Sequence, residues 1–416
     1  MLTVNKLGII LQKTTHAFEC EGVLNPAVIK VGDTIHMFYR AVAKNNYSTI
    51  GYCKLSAPMK VEIRNDIPLL NHLEAYEIQG LEDPRIVEID GTYYLSYTAF
   101  DGINALGALA TSTDLINWVR LGIIVPKITY DEFLEYTPNN VSFNEKYIRY
   151  NEYQKSHLKH DKELFLWDKN LIFFPRKINH KFCFLHRIKP DIQIVVAIDK
   201  ITDLTKEFWE KYFNDFDQHI VLSSKYPHEA SYLGSGCPPI ETADGWLIIY
   251  HGVFDSVKGY IYSACAALFE LENPEKEISR LPYPLFSPEK EWELKGEVNN
   301  VCFPTGAIVE EDNLYIYYGA ADERIAVASM SLKDLLKELK LNKILFLTPR
   351  KNLNEQITEN KYSSYIANDN YKIGHYSDDT INKTNFIKKY SKLDKFIITS
   401  CYKSNIKLFK LIKVHK

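Results

Sequence analysis

The chain has 416 residues, of which 46% are hydrophobic and 25% are charged, and its formal net charge is -3. A charge this small gives no electrostatic reason to expect a nucleic acid or an anionic membrane surface as a partner. No apolar run approaches the roughly 18 residues that suggest a membrane span, and the N-terminus lacks the basic start and cleavage site of a secretory signal. The seven cysteines form no C-x-x-C pair, which favours free thiols over disulfides or a zinc site. We therefore expect a cytoplasmic protein, and the sequence leaves open whether it forms a homo-oligomer.

One strand-turn-strand pattern recurs five times along the chain. In chain order the copies contain GDTIHMFYRAV, GTYYLSYTAFDG, NHKFCFLHRI, ADGWLIIYHGVF and EDNLYIYYGAAD. The equivalent aromatic positions are 58, 89, 64 and 68 residues apart: Tyr39, Tyr97, His186, Tyr250 and Tyr318. Repeats of this kind are typical of β-propeller blades, whereas the alternative, a β-sandwich, does not usually repeat a whole motif five times. The pattern predicts an all-β fold, a five-bladed β-propeller over residues 1–340.

Two segments fall outside this repeat. Residues 127–165 are polar and rich in Tyr and Lys, and they lengthen the second interval, so we predict an insertion there. After the fifth copy, LKDLLKELKLNKIL has leucines at helical spacing and predicts a closing helix. Residues 341–416 are predicted to be a C-terminal extension with a strand or two near its end, and they carry no functional motif.

Polar side chains follow the first strong strand of each copy, namely Arg40, Asp101, Arg187, His251 and Asp322. The blades of a propeller surround one axis, so positions far apart in sequence come together there. Taken alone, each of these residues is more often a solvated loop residue. Two Arg, one His and two Asp around a common axis would suit an anion and a sugar.

The stretch GLEDPRI places Glu82 and Asp83 directly before Pro84 and Arg85, at the start of a predicted strand. Proline cannot donate a hydrogen bond to a sheet, and it keeps the preceding residue out of the helical region. Asp83 is therefore expected to be fixed at a strand entrance, with Arg85 pairing with Glu82. On its own the motif would be read as a salt-bridged turn.

GLEDPRI does not stand alone, because four more motifs occur with it in order: NPAVIKVGDTIHMFYRA, FFPRKINHKFCFLHR, GSGCPPIETADGWLIIYHGV and NVCFPTGAIVEEDNLYIYYGAAD. Together they strongly resemble glycoside hydrolase family 130, the β-mannoside phosphorylase family. The resemblance covers about residues 15–340, without the insertion and the tail. It implies a five-bladed propeller, in agreement with the repeat count.

The resemblance also implies an activity, in which inorganic phosphate attacks a non-reducing β-mannosyl unit with inversion and releases α-mannose 1-phosphate. Asp83 would be the general acid, acting through a hydroxyl of the mannose. The implied phosphate-binding residues are Lys177, Arg187 and His251, with Arg176 as a neighbour of uncertain role. The residues implied for the sugar are Asn25, Arg40, Asp101 and Asp322, and Phe303 and Tyr318 would pack near it.

Other functions remain open at this level. A β-mannosidase of the same family would lack the basic phosphate-binding residues, and a non-catalytic carbohydrate-binding propeller would not need Asp83. A scaffold for protein partners would need exposed apolar blade edges. We expect no metal or organic cofactor, since an acid and phosphate suffice for the reaction. The acceptor sugar is undetermined among mannose, glucose, N-acetylglucosamine and a longer mannan.

Overall fold

The structure is a computed structural model that describes residues 2–137, 146–150, 163–257, 259–342, 372–376 and 396–400. The chain divides into two units, Met1–Leu339 and Lys340–Lys416. In the second unit, β22 (Lys372–Tyr376) and β23 (Phe396–Ser400) pair in parallel. Most of the predicted extension lies outside the described residues.

The strands of the first unit form five blades, numbered here in chain order. The first strand, β1 (Asn5–Leu11), belongs to the last blade. Blade 1 comprises β2 (Gly22–Val31), β3 (Thr34–Ala43), β4 (Tyr47–Ala57) and β5 (Lys60–Arg64). Blade 2 comprises β6 (Gly80–Ile89), β7 (Thr92–Phe100), β8 (Ala105–Ser112) and β9 (Val119–Ile123). Blade 3 comprises β10 (Asp168–Phe173), β11 (Phe182–Ile188), β12 (Ile192–Ile198) and β13 (Ile220–Leu222).

The inner edge of blade 4 is split into two short strands, β14 (Tyr232–Ser235) and β15 (Ile240–Thr242), and both pair with β16. The blade continues with β16 (Gly245–Ser256), β17 (Gly259–Phe269) and β18 (Glu277–Arg280). Blade 5 comprises β19 (Cys302–Glu310), β20 (Asn313–Ala320) and β21 (Arg324–Ser331), and β1 completes it by pairing with β21. The helices are α1 (Tyr130–Tyr136), α2 (Lys206–Asn214), α3 (Glu291–Leu294) and α4 (Leu332–Asn342), and residues 146–150 are also helical.

The first strand of each blade lies nearest the axis: β2 contacts β6 and β19, and β10 contacts β6 and β14. Apolar side chains on the faces of adjacent blades form five separate cores, one between each neighbouring pair. Phe38 and Leu95, for example, lie in the core between blades 1 and 2, and Leu233 and Ile192 in that between blades 4 and 3. This is the five-bladed β-propeller that the repeat predicted.

A buried hydrogen bond explains the repeating aromatic residue. In four blades the tyrosine hydroxyl on the second strand donates to a fully buried glutamate just before the first strand, as Tyr39 does to Glu19 at 2.8 Å. The other three pairs are Tyr97–Glu77, Tyr250–Glu229 and Tyr318–Glu293. A cation on the outer strand also pairs with each glutamate: Arg64, Arg120, Arg280 and Lys6. We call each set of three a blade clasp, and it satisfies charges that burial would otherwise penalise.

Blade 3 differs from the others. His186 Nδ1 lies 2.8 Å from Asp168 Oδ2, and its Nε2 lies 2.8 Å from the Tyr212 hydroxyl on α2. The predicted insertion also packs here, because its residues Phe133 and Tyr147 join the core between blades 2 and 3. The predicted closing helix is present as α4, which buries Leu335 and Leu339 against the core between blades 4 and 5.

Candidate active site

An aspartate or asparagine with positive φ interrupts the first strand of three blades. Asn25, Asp83 and Asn170 have φ values of 49°, 50° and 56°. Each coincides with a shift in the pairing to the next strand, at positions 24/27, 82/85 and 169/172. Asn and Asp tolerate the left-handed region better than most residues, and such a bulge re-aims a side chain out of the sheet pattern. The bulge thus explains GLEDPRI, because Pro84 needs no N–H partner at a break in the ladder.

Asp83 lies at the centre of a polar cluster and is 8% exposed. Asn25 Nδ2 donates to its Oδ1 at 2.6 Å, and Arg40 Nη1 lies 3.8 Å from the same oxygen. Arg40 Nη2 also pairs with Glu82 Oε1 at 2.7 Å. Blade 1 therefore supplies two groups that hold the Asp83 carboxylate of blade 2 in place.

Arg85 does not pair with Glu82, so that prediction was wrong. Its guanidinium is 1% exposed and donates to the carbonyl oxygens of Asp83 at 2.9 Å, Pro84 at 3.0 Å and Gly236. Because the side chain points inward from the bulge, it reaches main-chain acceptors on blades 2 and 4. Arg85 fixes the backbone that carries Asp83.

The pKa values of Asp83 and Asp322 are shifted in opposite directions. Burial alone would raise the pKa of Asp83, but the charges of Arg40, Lys169 and Arg85 outweigh it and hold the pKa below its usual value. Burial raises the pKa of Asp322 to about 6, with Arg40 opposing the shift and Asp83 adding to it. In the free protein, Asp83 is therefore the carboxylate that ionises first.

Blades 3 and 4 present basic groups to the same centre. Lys169 lies directly opposite Arg187 in the pairing of β10 with β11, and Lys189 lies two residues after Arg187, just beyond the end of β11. We call these three residues the cationic cluster. Burial lowers the pKa of all three, and none forms an ion pair with a carboxylate of the described residues. Glu82 and Asp83 are close enough to oppose the shift of the Lys169 pKa, but neither carboxylate makes a direct ion pair with the cluster.

His251 completes this side of the site. It is fully buried, and burial, together with Arg187 and Arg85, holds its pKa well below the usual value, so the ring is neutral. Its ring centroid lies 4.4 Å from that of Phe303 on blade 5. A Cβ on Gly234 would collide with the His251 ring, so only glycine fits opposite it.

Many buried polar atoms around this centre have no protein partner. They are Asn25 Oδ1, Arg85 Nη2, both side-chain polar atoms of Asn170, Arg187 Nε, Ser235 Oγ and both ring nitrogens of His251. A buried polar group without a hydrogen bond is costly, so native proteins rarely keep several together unless water or a ligand satisfies them. The set contains donors from blades 2, 3 and 4 and fits a polar, oxygen-rich ligand.

The sequence profile described as "beta-1,4-mannooligosaccharide phosphorylase", that of glycoside hydrolase family 130, matches residues 9–341. The chain belongs to glycoside hydrolase family 130. A protein of Thermoanaerobacter sp. (strain X514) named 1,2-beta-oligomannan phosphorylase is 32% identical over 79% of this chain and 96% of its own length. A beta-1,2-mannobiose phosphorylase of the same organism is 34% identical over 75% of this chain and 91% of its own.

Solved structures agree on the fold. The complex of the Listeria innocua beta-1,2-mannobiose phosphorylase with beta-1,2-mannobiose superposes with a TM-score of 0.59 at 20% identity, covering 82% of this chain and 99% of that one. A family 130 glycoside hydrolase that targets beta-1,2 mannosidic linkages in Candida mannan gives 0.61 at 21% identity, with coverages of 80% and 94%. The predicted resemblance to family 130 is therefore confirmed.

The structure brings together most of the residues that the family resemblance suggested. Asn25, Arg40 and Asp322 surround Asp83, and Arg187, His251 and Phe303 lie on the facing blades. These seven residues come from all five blades. The roles assigned to them remain predictions, whereas their proximity is observed.

Lys177 lies elsewhere. Its ammonium pairs with Asp90 at 2.9 Å on the surface and lies 4.8 Å from the centroid of the Phe182 ring. It follows the far end of β10, whereas Lys169 is at the end near Asp83. The motif FFPRK therefore led to a basic residue at the wrong end of the strand. Its neighbour Arg176 pairs with Glu241 and Glu272 in the same way.

Two predicted sugar contacts also have other partners. The Tyr318 hydroxyl donates to Glu293 at 2.6 Å within the clasp of blade 5, and the ring is fully buried in the core. Asp101 accepts hydrogen bonds from the backbone N–H groups of Ile103 and Asn104 and closes the turn between β7 and β8. Both side chains have structural roles, so the structure does not assign them to the sugar site.

Sequence reasoning missed Lys169, Asn170 and Lys189. The first two lie in DKNLIF, the first strand of blade 3, which follows the insertion and was not recognised as a blade strand. A signal was present, since Asn170 precedes an apolar run as Asn25 and Asp83 do. Lys189 follows β11 directly, two residues after the predicted Arg187.

Within the residues that the structure describes, no group of three or more His, Cys, Asp or Glu side chains is placed to hold a metal ion. No helix in the same part of the chain is long and apolar enough to cross a membrane.

Proposed function

We propose that this protein is a β-mannoside phosphorylase, which cleaves a non-reducing terminal β-mannosyl linkage with inorganic phosphate and releases α-mannose 1-phosphate. The observation that carries the proposal is the cationic cluster of Lys169, Arg187 and Lys189, which is buried at Arg187 and half-buried at the two lysines and makes no direct ion pair with a carboxylate of the described residues. Burying cations without counter-charges is unfavourable, and a bound dianion would supply the missing charge. The family 130 relatives that are named as phosphorylases support the same reaction.

A hydrolase of inverting type would need a second carboxylate to activate water opposite the acid. On blades 3 and 4 the groups near Asp83 are instead Lys169, Arg187, Lys189 and neutral His251. Phosphate needs no base, because it arrives as an anionic nucleophile, but it needs hydrogen-bond donors and positive charge. The unpartnered Nε of Arg187 and one ring nitrogen of His251 are suitable donors. We place the phosphate on this group and replace Lys177 of the sequence prediction by Lys169 and Lys189.

Asp83 would supply the proton for the leaving sugar, either directly or through a hydroxyl of the mannosyl unit. Its pKa in the free protein is low because Arg40, Lys169 and Arg85 favour the carboxylate. A phosphate dianion beside Lys169 would offset part of that positive charge and raise the Asp83 pKa. The acid would therefore become protonated when the nucleophile is bound. Asn25 and Arg40 would hold the carboxyl group and the adjacent mannosyl hydroxyls.

The two Thermoanaerobacter relatives described above are named for β-1,2 linkages, so we propose a β-1,2-mannoside as the substrate. The protein should be incubated with β-1,2- and β-1,4-mannobiose, with and without inorganic phosphate, and the products followed by phosphorus NMR. We expect α-mannose 1-phosphate from the β-1,2 substrate only when phosphate is present. Asp83→Asn should lower turnover while the sugar still binds, because it removes the proton donor.

Each alternative predicts a different result. Release of free mannose at equal rates with and without phosphate would refute phosphorolysis and indicate a β-mannosidase. Binding of mannosides without any turnover would indicate a carbohydrate-binding protein. Sulfate serves as a matched control anion, since it has the shape and charge of phosphate but should inhibit and not react.

A further inference from the structure

We infer that the inserted segment at residues 146–150 positions the phosphate-binding lysine Lys189, and that Tyr147 is the residue through which it acts. The inference rests on the proposed phosphate site. Lys189 lies in the short turn between β11 and β12, which runs from Ile188 to Ile192. A lysine in such a turn has a long, flexible side chain, so its ammonium can serve an anion well only if the turn and the stem are held.

The Gln193 side chain closes this turn from the inside. Its Oε1 accepts from the Ile188 N–H at 2.7 Å, and its Nε2 donates to the Ile188 carbonyl oxygen at 3.0 Å. The same Nε2 donates to the hydroxyl oxygen of Tyr147 at 3.1 Å. The Tyr147 hydroxyl in turn donates to Asp191 Oδ2 at 2.8 Å. One phenol group therefore binds both side chains that define the turn around Lys189.

These contacts are buried and specific. Tyr147 is 3% exposed, Asp191 is 2% and Gln193 is fully buried. Burial raises the pKa of Asp191, and the hydrogen bond from Tyr147 opposes that shift. Without the phenol hydroxyl, a buried carboxylate would lose a donor, and Gln193 Nε2 would lose an acceptor. Removing one partner from such a network is more costly than the average hydrogen bond, because the remaining groups cannot reach water.

The same helical turn also holds the lysine side chain and the neighbouring blade. The Lys189 ammonium lies 4.1 Å from the centroid of the Tyr232 ring and 5.5 Å from that of Tyr150. The Tyr150 hydroxyl lies 3.2 Å from the Ser231 carbonyl oxygen, and the Lys146 ammonium donates to that of Ala230. Residues 146–150 thus tie the turn of blade 3 to the start of β14 in blade 4.

Residues 146–150 pack on blade 3, which is the blade without a Tyr–Glu clasp. Four blades have a Tyr–Glu clasp with a cation, and blade 3 has Asp168, His186 and Tyr212 in its place. Asp168 and His186 lie on β10 and β11, and Tyr212 lies on α2, whereas Lys189 lies beyond the end of β11. The insertion therefore adds to the support that Gln193 of blade 3 gives to the turn carrying Lys189.

Tyr147→Phe tests the inference, with Tyr136→Phe as the matched control. Tyr136 lies on α1 in the same insertion, away from the turn that carries Lys189. Its hydroxyl donates to Glu210 at 3.1 Å. We expect Tyr147→Phe to raise the Michaelis constant for phosphate by about fivefold, since the turn loses the hydrogen bond to Asp191 and the one from Gln193. The Michaelis constant for the mannoside should change less than about twofold, because sugar binding does not use Lys189. The control should leave both constants unchanged.

A double variant shows whether Tyr147 acts through Lys189. If it does, Lys189→Met with Tyr147→Phe should have the same phosphate constant as Lys189→Met alone, because the two effects are not additive. The inference would be overturned, with phosphorolysis still standing, by any of three results. The two substitutions could have additive effects on the Michaelis constant for phosphate, Tyr147→Phe could raise the constant for the mannoside equally, or it could change neither constant. Phosphate-independent turnover by the wild-type protein would overturn the proposed function, and the positioning role with it.

Discussion

Replacing Asp322 by asparagine should stabilise this protein, and increasingly so as the pH rises. Asp322 is half-buried beside Asp83, and its pKa is raised to about 6 from the ordinary value of 3.8. A carboxyl group with a raised pKa binds its proton more tightly in the folded state than in the unfolded state. Folding stability therefore falls as the pH rises from the unfolded value to the folded one, and above that it stays reduced.

The size of the effect follows from the two pKa values. By linkage, the raised pKa of Asp322 lowers the free energy of unfolding by about 1.5 kcal/mol at pH 5 and by about 3 kcal/mol at pH 7.5. Asparagine is close in shape to the protonated acid and cannot ionise, so the variant avoids this penalty. The stability gap between Asp322→Asn and wild type should therefore widen by about 1.5 kcal/mol between these pH values.

Urea denaturation followed by tryptophan fluorescence at pH 5, 6 and 7.5 measures this gap. Asp33→Asn, which removes an exposed acid in the turn between β2 and β3, is the control for the loss of one carboxylate. A gap for Asp322→Asn that stays constant or narrows with rising pH would refute the assigned shift. We also expect the variant to lose activity, because Asp322 lies beside Arg40 and Asp83 in the proposed sugar site.

Three further predictions concern catalysis. Lys169→Met should raise the Michaelis constant for phosphate by about tenfold or more, since a charged contact to the anion is lost, whereas Lys177→Met should not change that constant. If steady-state assays show the larger rise for Lys177→Met, Lys177 belongs to the phosphate site after all. Bound phosphate should raise the pKa of Asp83. The loss of activity at high pH should therefore occur at a higher pH for kcat at saturating phosphate than for kcat/KM of the mannoside at low phosphate. If activity is lost at the same pH in both profiles, phosphate does not raise the pKa of Asp83. Dialysis against a chelator should leave turnover unchanged, and loss of activity with restoration by one metal would show that a cofactor is needed.

The sequence by itself determined the blade architecture. Five copies of one strand pattern, with an aromatic residue at Tyr39, Tyr97, His186, Tyr250 and Tyr318, were sufficient to count the blades. The physical reason is local: alternation of apolar side chains sets strands, and Gly, Asp and Asn set the turns between them. The blade clasp shows why the aromatic position repeats, although no sequence pattern indicated that its partner is a buried glutamate.

The sequence also identified Asp83, because a carboxylate before proline at a strand entrance is a local feature. It indicated Arg40, Arg187 and His251 as well, since each occupies a similar place in its own repeat, whereas Asn25 was implied by the resemblance to family 130. Arg40, Arg187 and His251 were found by position in a repeat, and the fold brings such positions to one axis.

Only the tertiary structure decided which basic residues meet at that axis. Lys169 and Lys177 are both close to the first strand of blade 3, and the choice depends on which end of the strand faces Asp83. Tyr318 and Asp101 match the pattern, yet they are used for a clasp and a turn. The contacts of Tyr147 with Asp191 and Gln193 join an insertion to a blade across 44 and 46 residues. Such contacts depend on how separate segments pack in space, and no local pattern in the sequence encodes that packing.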